Sequence, residues 1–129
     1  MLTYYCWHCY GKNRRASGGC ERCSEEIAAP PGTSFEARLL WALRHPLAER
    51  RMAAVHALGE RRVEAASGPL RKLVSDPDPY LAAGALDALV RIDGAEAHRS
   101  LLDELCASAP PQVRDVARKL RDQRDDGPT

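Results

Sequence analysis

The sequence predicts a mostly α-helical chain: a short α-solenoid of about three helix pairs preceded by a small N-terminal β-hairpin finger built around a metal ion. Three observations predict it. Four of the five cysteines, Cys6, Cys9, Cys20 and Cys23, cluster at the N-terminus in the pattern C-x2-C-x10-C-x2-C. From Ser34 onward, apolar residues recur at helical spacing, and the pattern repeats itself at a fixed offset, that of Leu39 to Leu70 and of Leu70 to Leu101. Pro46, Pro77, Pro79, Pro110 and Pro111 punctuate the helical stretches, as residues that open helices and break their interiors should.

Composition narrows the class. A chain of 129 residues holds one ordinary domain or two small ones. Aromatics make up only 5%, with a single Phe, so the core must be built from Leu, Val and Ala. Basic and acidic residues balance at 19 and 18, which gives no global attraction to nucleic acid or membrane. No apolar run approaches the ~20 residues of a membrane span. The segment Met1–Cys6 lacks the basic and apolar regions of a secretory signal, so the expected location is cytoplasmic. Arginine outnumbers lysine 16 to 3 and Ala occurs 20 times, a bias of GC-rich genomes that suggests a bacterial source.

The cysteine pattern comes first along the chain. Two C-x2-C pairs separated by a loop let Cys6, Cys9, Cys20 and Cys23 converge on one tetrahedral ion, and Zn²⁺ is the expected one, at about 2.3 Å from each sulfur. Disulfides would require an oxidising compartment, to which nothing points. A redox pair would require an adjoining βαβ pattern, and none follows. An iron–sulfur centre also takes four thiolates and is the competing metal reading. About 25 residues cannot bury enough apolar surface to hold a fold, and a structural metal supplies the deficit. Four thiolates leave no open coordination position, so the expected zinc is structural and not catalytic.

Around these cysteines the chain reads Tyr4-x-Cys6-x2-Cys9-x3-Asn13-x6-Cys20-x2-Cys23. This resembles the Ran-binding-protein-type zinc finger over residues 3–26, with Tyr4 where the family has Trp. The resemblance implies two crossed β-hairpins around zinc, and members that bind single-stranded RNA or ubiquitin. Neither binding mode carries over whole. Arg14 stands where RNA-binding members place a stacking aromatic, and Tyr10-Gly11 stands where ubiquitin-binding members carry Thr-Phe. The remaining nucleic-acid candidates are Lys12, Asn13, Arg14 and Arg15, a small basic loop beside aromatics taken to be exposed. The competing reading is that these charges offset the net −2 of a four-thiolate zinc centre.

Residues 27–33 form a linker. Thr33 and Glu36 then read as a capping box that opens the first helix. Leu39, Leu70 and Leu101 align at the repeat offset, as do Leu43, Val74 and Leu105. Ala54, Ala85 and Val116 form a third column, and Leu58, Leu89 and Leu120 a fourth. The breaks between them predict six helices, over 34–45, 48–62, 67–75, 79–92, 96–107 and 111–123. The repeat domain is therefore 34–123, followed by a charged tail, 124–129, expected to be disordered.

The segments Ala53-Ala54-Val55-His56-Ala57-Leu58-Gly59 and Asp76-Pro77-Asp78-Pro79-Tyr80-Leu81 carry a second resemblance. They are similar to HEAT-like repeats of the short type found in phycobilisome-lyase-related proteins. This implies a right-handed stack of helix pairs with a scaffolding or protein-docking role. Second helices of such stacks line the concave face, where Arg50, Ala53, Leu81, Gly84 and Ala88 are the candidate partner surface. The alternative is that these small residues only let successive helices pack.

No serine–histidine–aspartate order, carboxylate pair or phosphate loop stands out. Cys106 reads as a small apolar filler, Trp41 as an edge or docking aromatic, His45 as a turn residue, and His56 and His98 as surface. The expected function is a non-enzymatic, zinc-binding adaptor that docks a protein partner on its repeats. The alternative is single-stranded RNA binding through the finger. An enzyme or subunit related to the lyase-type repeats is the third reading, and no small-molecule substrate or membrane partner is evident.

Overall fold

The computed structural model describes residues 2–125. Six α-helices follow a short hairpin: α1 (Phe35–Ala42), α2 (Ala48–Glu60), α3 (Ser67–Leu73), α4 (Pro79–Asp93), α5 (Arg99–Ser108) and α6 (Pro111–Asp125). The fold is the expected one, mostly helical with a small N-terminal antiparallel sheet. Helix α6 reaches Asp125; the rest of the expected tail, 126–129, lies outside the described residues.

Local chemistry explains where the helices begin. Pro79 and Pro111 stand at first helical positions, where a missing N–H is not needed. Asp78 caps α4 by accepting the Tyr80 and Leu81 N–H groups through Oδ1 at 3.0 and 3.4 Å. At α1 the cap is Ser34, not the expected Thr33: its Oγ accepts the Ala37 N–H at 3.0 Å. The helix starts at Phe35, so only residue 34 is placed to cap it, and the Thr33 hydroxyl instead donates to the Pro30 carbonyl at 2.5 Å. Helix α1 also stops at Ala42, short of the expected 45. Leu43, Arg44 and His45 turn back with N–H bonds to Leu40, Trp41 and Ala42 before Pro46. Likewise α5 starts at Arg99, after a 3-10 turn over Glu96–His98.

Packing follows the columns through the first two copies, apart from Leu39, which is only partly buried. Leu58, Leu89 and Leu70 are fully buried, and Ala54, Ala85, Leu43 and Val74 are core residues. A Cβ on Gly59 would sit 2.8 Å from the Ala88 Cβ, which is how closely α2 and α4 approach. In the third copy the register shifts in α5 alone. Leu102 and Cys106 are buried, whereas Leu101 and Leu105 are only partly so; in α6, Leu120 is buried in its expected column with Leu58 and Leu89, and Ala117 is buried in line with Val55 and Leu86 although Val116 is only partly so. The interval from α3 to α5 is therefore one longer than that from α1 to α3, and Leu102 rather than Leu101 is the counterpart of Leu70. Helix α2 ends at Glu60 and turns through Arg62 at φ +50°, whereas α4 continues to Asp93 and turns through Gly94 at φ +87°. That later turn displaces α5 by one residue, and α6 regains the original offset.

In the finger, β1 (Tyr4–Tyr5) pairs antiparallel with β2 (Lys12–Asn13), with Tyr4 opposite Asn13. The second hairpin of the expected pair is reduced to one antiparallel bridge, Gly19 with Glu26, and Ile27, expected to open the linker, belongs to the finger, buried against Cys6 and Cys20 and bonded to Trp7 and Gly18.

Candidate metal centre and its contact with the repeats

Each C-x2-C pair sits in a tight turn whose backbone N–H groups point at sulfur. His8 N–H reaches Cys6 Sγ at 3.4 Å, Gly11 N–H reaches Cys9 Sγ at 3.3 Å, and Arg22 N–H reaches Cys20 Sγ at 3.4 Å. These peptide dipoles favour thiolates. The four sulfurs lie within 4.8 Å of one another, with Cys6–Cys23 at 3.7 Å and Cys9–Cys20 at 3.6 Å. All are free of disulfides. A tetrahedral ion with bonds of about 2.3 Å would space its sulfurs by about 3.8 Å. The donor set therefore fits a metal ion.

The protonation balance agrees. The Cys23 backbone N–H, helped by the Asn13 amide, lowers the Cys20 thiol to about 6. At Cys23 the Glu25 N–H favours the thiolate, but burial and the neighbouring thiols outweigh it and push Cys23 up to about 12. Four thiolates this close need a cation among them to ionise together.

Asn13 belongs to the same centre. It is buried, its amide nitrogen donates to Gly11 O at 3.1 Å and Cys20 Sγ at 3.5 Å, and its Oδ1 accepts the Glu21 N–H at 3.0 Å. Its side chain is thus occupied inside the finger, unlike the exposed Lys12, Arg14 and Arg15. Arg15 leans back on the Gly19 carbonyl at 3.5 Å.

The aromatics of the finger are not free, contrary to the sequence reading. Trp7 and Tyr10, flanking the first knuckle, both stack on Trp41 of α1, with ring centroids at 5.2 and 4.8 Å. Trp41 Nε1 donates to the Trp7 carbonyl at 2.7 Å, and the Tyr10 hydroxyl donates to the Trp41 carbonyl at 2.7 Å. Burial holds the Tyr10 hydroxyl above its ordinary value, against the pull of Arg44, so it remains a donor. Tyr5 meets His45 edge-on at 4.4 Å. His45 does occupy a turn, yet it is only 2% exposed. Its Nδ1 accepts the Leu47 N–H at 3.1 Å, and desolvation, with Arg50 and Arg51 nearby, lowers its pKa and keeps it neutral.

The five candidate partner residues separate. Ala53 and Gly84 line one open groove of about 490 Å³ between α2 and α4, with Met52 and His56 at its sides and Ala88 buried at its floor against Gly59. Leu81 is a core residue, 2% exposed, because α4 lies between α2 and α6 and buries more than one face. Arg50 lies instead in the cleft between the finger and α1. A second groove, between α4 and α6, shares Gly84, Asp87 and Arg91 with the first.

One polar constellation escaped the sequence reading. Ser67 Oγ donates to Asp93 Oδ1 at 2.8 Å, and His98 Nε2 to Asp93 Oδ2 at 2.7 Å. Arg71, an obligate donor, is 3.2 Å from His98 Nδ1, which fixes the tautomer. His98, expected at the surface, has a side chain only 10% exposed. The carboxylate stands between the hydroxyl and the imidazole, so histidine has no route to activate the serine. The network instead pins the second repeat to the third, and no residue type or spacing announced it.

A family model for HEAT repeats matches residues 36–121. No curated protein and no solved structure matches the chain. Among the described residues, no helix is long and apolar enough to cross a membrane.

Proposed function

The chain belongs to the HEAT repeat family, and on that premise we propose that it is a non-enzymatic adaptor in which a zinc-bound finger caps a short stack that docks a protein partner. The observation that carries this reading is the small-residue track across α2, α4 and α6. Gly84 is shared by the grooves on both sides of α4, with apolar Met52 and Ala53 on one side and Val116 and Leu120 on the other. An apolar helix or extended segment laid there would bury against α4 and meet the Asp87–Arg91 ion pair, 2.9 Å long, at the edge. Zinc is the ion of choice because an all-thiolate tetrahedral set suits it, and four protein ligands leave no position for a substrate.

The test compares capture of partners by the tagged full chain and its variants. Gly84→Asp places a charge in the track. Its Cβ would meet Val55 Cγ1 at an ordinary 3.7 Å and crowd only the flexible Met52 side chain, at 3.1 Å, so the fold tolerates it. The expected result is at least roughly tenfold weaker partner capture, against none for the Arg14→Ala/Arg15→Ala double variant. The opposite result would favour the nucleic-acid alternative: single-stranded RNA binding that falls steeply with salt and is lost with Arg14 and Arg15.

A further inference from the structure

Tyr10 is a costly choice for a metal knuckle. It follows Cys9 at φ +61°, in the left-handed region. That conformation is disfavoured by about 1–2 kcal/mol for an L-residue and is freely adopted by glycine. Ser24 holds the matching place after Cys23, at φ +69°, with a small side chain. A finger that only binds metal gains nothing from a bulky ring at this position. What Tyr10 gains is Trp41, through a stacked ring and a hydroxyl bond, while Trp7 holds the same indole from the other end of the knuckle.

Helix α1 needs that hold. It has eight residues, none of them buried. A helix so short is unstable alone, and the exposed end of a solenoid requires a cap. Its main helical neighbour is α2, and the finger covers the Trp41–His45 corner directly.

We infer that the finger is a metal-set latch on the first repeat: ligation of Cys6 and Cys9 shapes the knuckle that aims Trp7 and Tyr10 at Trp41, and loss of the metal releases α1 and bares the aromatic surface of Trp41 and His45. The occupant of that surface in the closed state is this chain's own finger. The inference rests on the metal reading above and is independent of the docking track. It gives the thiolate centre a regulatory use: any agent that strips the metal opens a second face on the adaptor.

The experiment uses the full chain, with metal content measured in every sample. Hydrogen exchange is followed over residues 35–45 and 79–93, together with emission from the two tryptophans, Trp7 and Trp41. Chelation with EDTA should accelerate exchange over 35–45 by roughly tenfold or more, leave 79–93 protected and shift the emission to the red. Tyr10→Gly removes both the strain and the clasp, so it should keep one metal per chain and still show the fast exchange over 35–45. Trp7→Ala, which leaves the backbone of the knuckle intact, should act in the same direction and decides the matter if the Tyr10 variant fails to load metal. Unchanged protection of 35–45 after chelation, or in a metal-loaded variant, overturns the latch. A purified chain that binds no metal overturns the metal reading instead, and the two variants then still test the clasp.

Discussion

Among the described residues, the finger buries three apolar side chains of its own, Cys6, Cys20 and Ile27, whereas the repeat stack buries twenty-one, nearly all Leu, Val and Ala. Two of the finger's three are metal-ligand candidates. On the zinc reading its cohesion comes from a point of coordination, whereas that of the stack comes from a continuous apolar seam. The difference teaches where each part breaks. A seam loses stability by increments as side chains are trimmed, while a coordination centre is lost as a unit. The junction combines the two modes, since stacked rings and two hydrogen bonds join a metal knuckle to a helix with no buried residue of its own.

The largest expected effect tests that contrast at the metal. Structural zinc contributes on the order of 10–16 kcal/mol to modules of this kind. Cys20→Ser should abolish stoichiometric metal binding and unfold residues 4–27, while far-ultraviolet circular dichroism retains most of its helical signal. Retention of one metal per chain in that variant would dismiss the four-thiolate assignment.

In the seam, the central copy carries the most. Leu89 is fully buried on α4, between α2 and α6. Leu89→Ala should cost about 2–5 kcal/mol by chemical denaturation, a large share of the stability of a small domain. The metal content should not change. If metal were lost along with helix, the two regions would share one cooperative unit and the contrast would fail.

A smaller effect is expected at the polar pin between the second and third repeats. The His98 hydrogen bond, supported by Ser67, holds Asp93 below the ordinary carboxylate range despite its partial burial. A carboxyl whose pKa is depressed on folding stabilises the native state above its unfolded value, and that stability is lost as pH falls through the folded value. Asp93→Asn should therefore destabilise by about 1–3 kcal/mol at neutral pH. Parent and variant should converge in acid below the ordinary carboxylate range. A difference independent of pH would mean that the network acts through packing alone.

Much of each region was legible from sequence, and for different reasons. Ligand spacing is dictated by coordination chemistry, so Cys6, Cys9, Cys20 and Cys23 stand out as one candidate set, and the fold brings their sulfurs within 4.8 Å of one another. Helix positions follow from proline placement and apolar period. The slip of register in α5 was hidden because Leu101-Leu102 and Leu105-Cys106 are adjacent apolar pairs, so either register aligns an apolar residue with the column. The longer α4 becomes visible only through the turn at Gly94. The junction was hidden for another reason. Tyr10 and Trp41 are 31 residues apart and Trp7 and Trp41 are 34 apart, with no period or motif linking them. Trp41 reads as a docking aromatic, but what docks on it is decided in three dimensions. Leu81 and Ala88 look available for a partner because a helical wheel shows one exposed face, whereas α4 is packed by helices on two sides.

The smallest expected effect probes the junction itself through His45. Its ring is buried among Tyr5, Tyr10 and Trp41, and desolvation, with Arg50 and Arg51 adding to it, lowers its pKa from the ordinary 6.5. The folded chain therefore binds this proton less readily than the unfolded chain. The stabilisation from a neutral His45 is complete above pH 6.5 and is lost as pH falls from there toward the lowered folded value. The Tm should accordingly decline modestly between pH 7 and 5, with hydrogen exchange rising first over residues 35–45. His45→Asn supplies an oxygen in place of Nδ1 as acceptor for the Leu47 N–H and cannot titrate, so it should lower the Tm at pH 7 but flatten the slope below it. Acid also protonates thiolates and frees metal, so metal content must be followed at each pH and the slopes compared where it stays constant. An undiminished slope in the variant over that range would assign the acid sensitivity to the metal centre and remove His45 from the account.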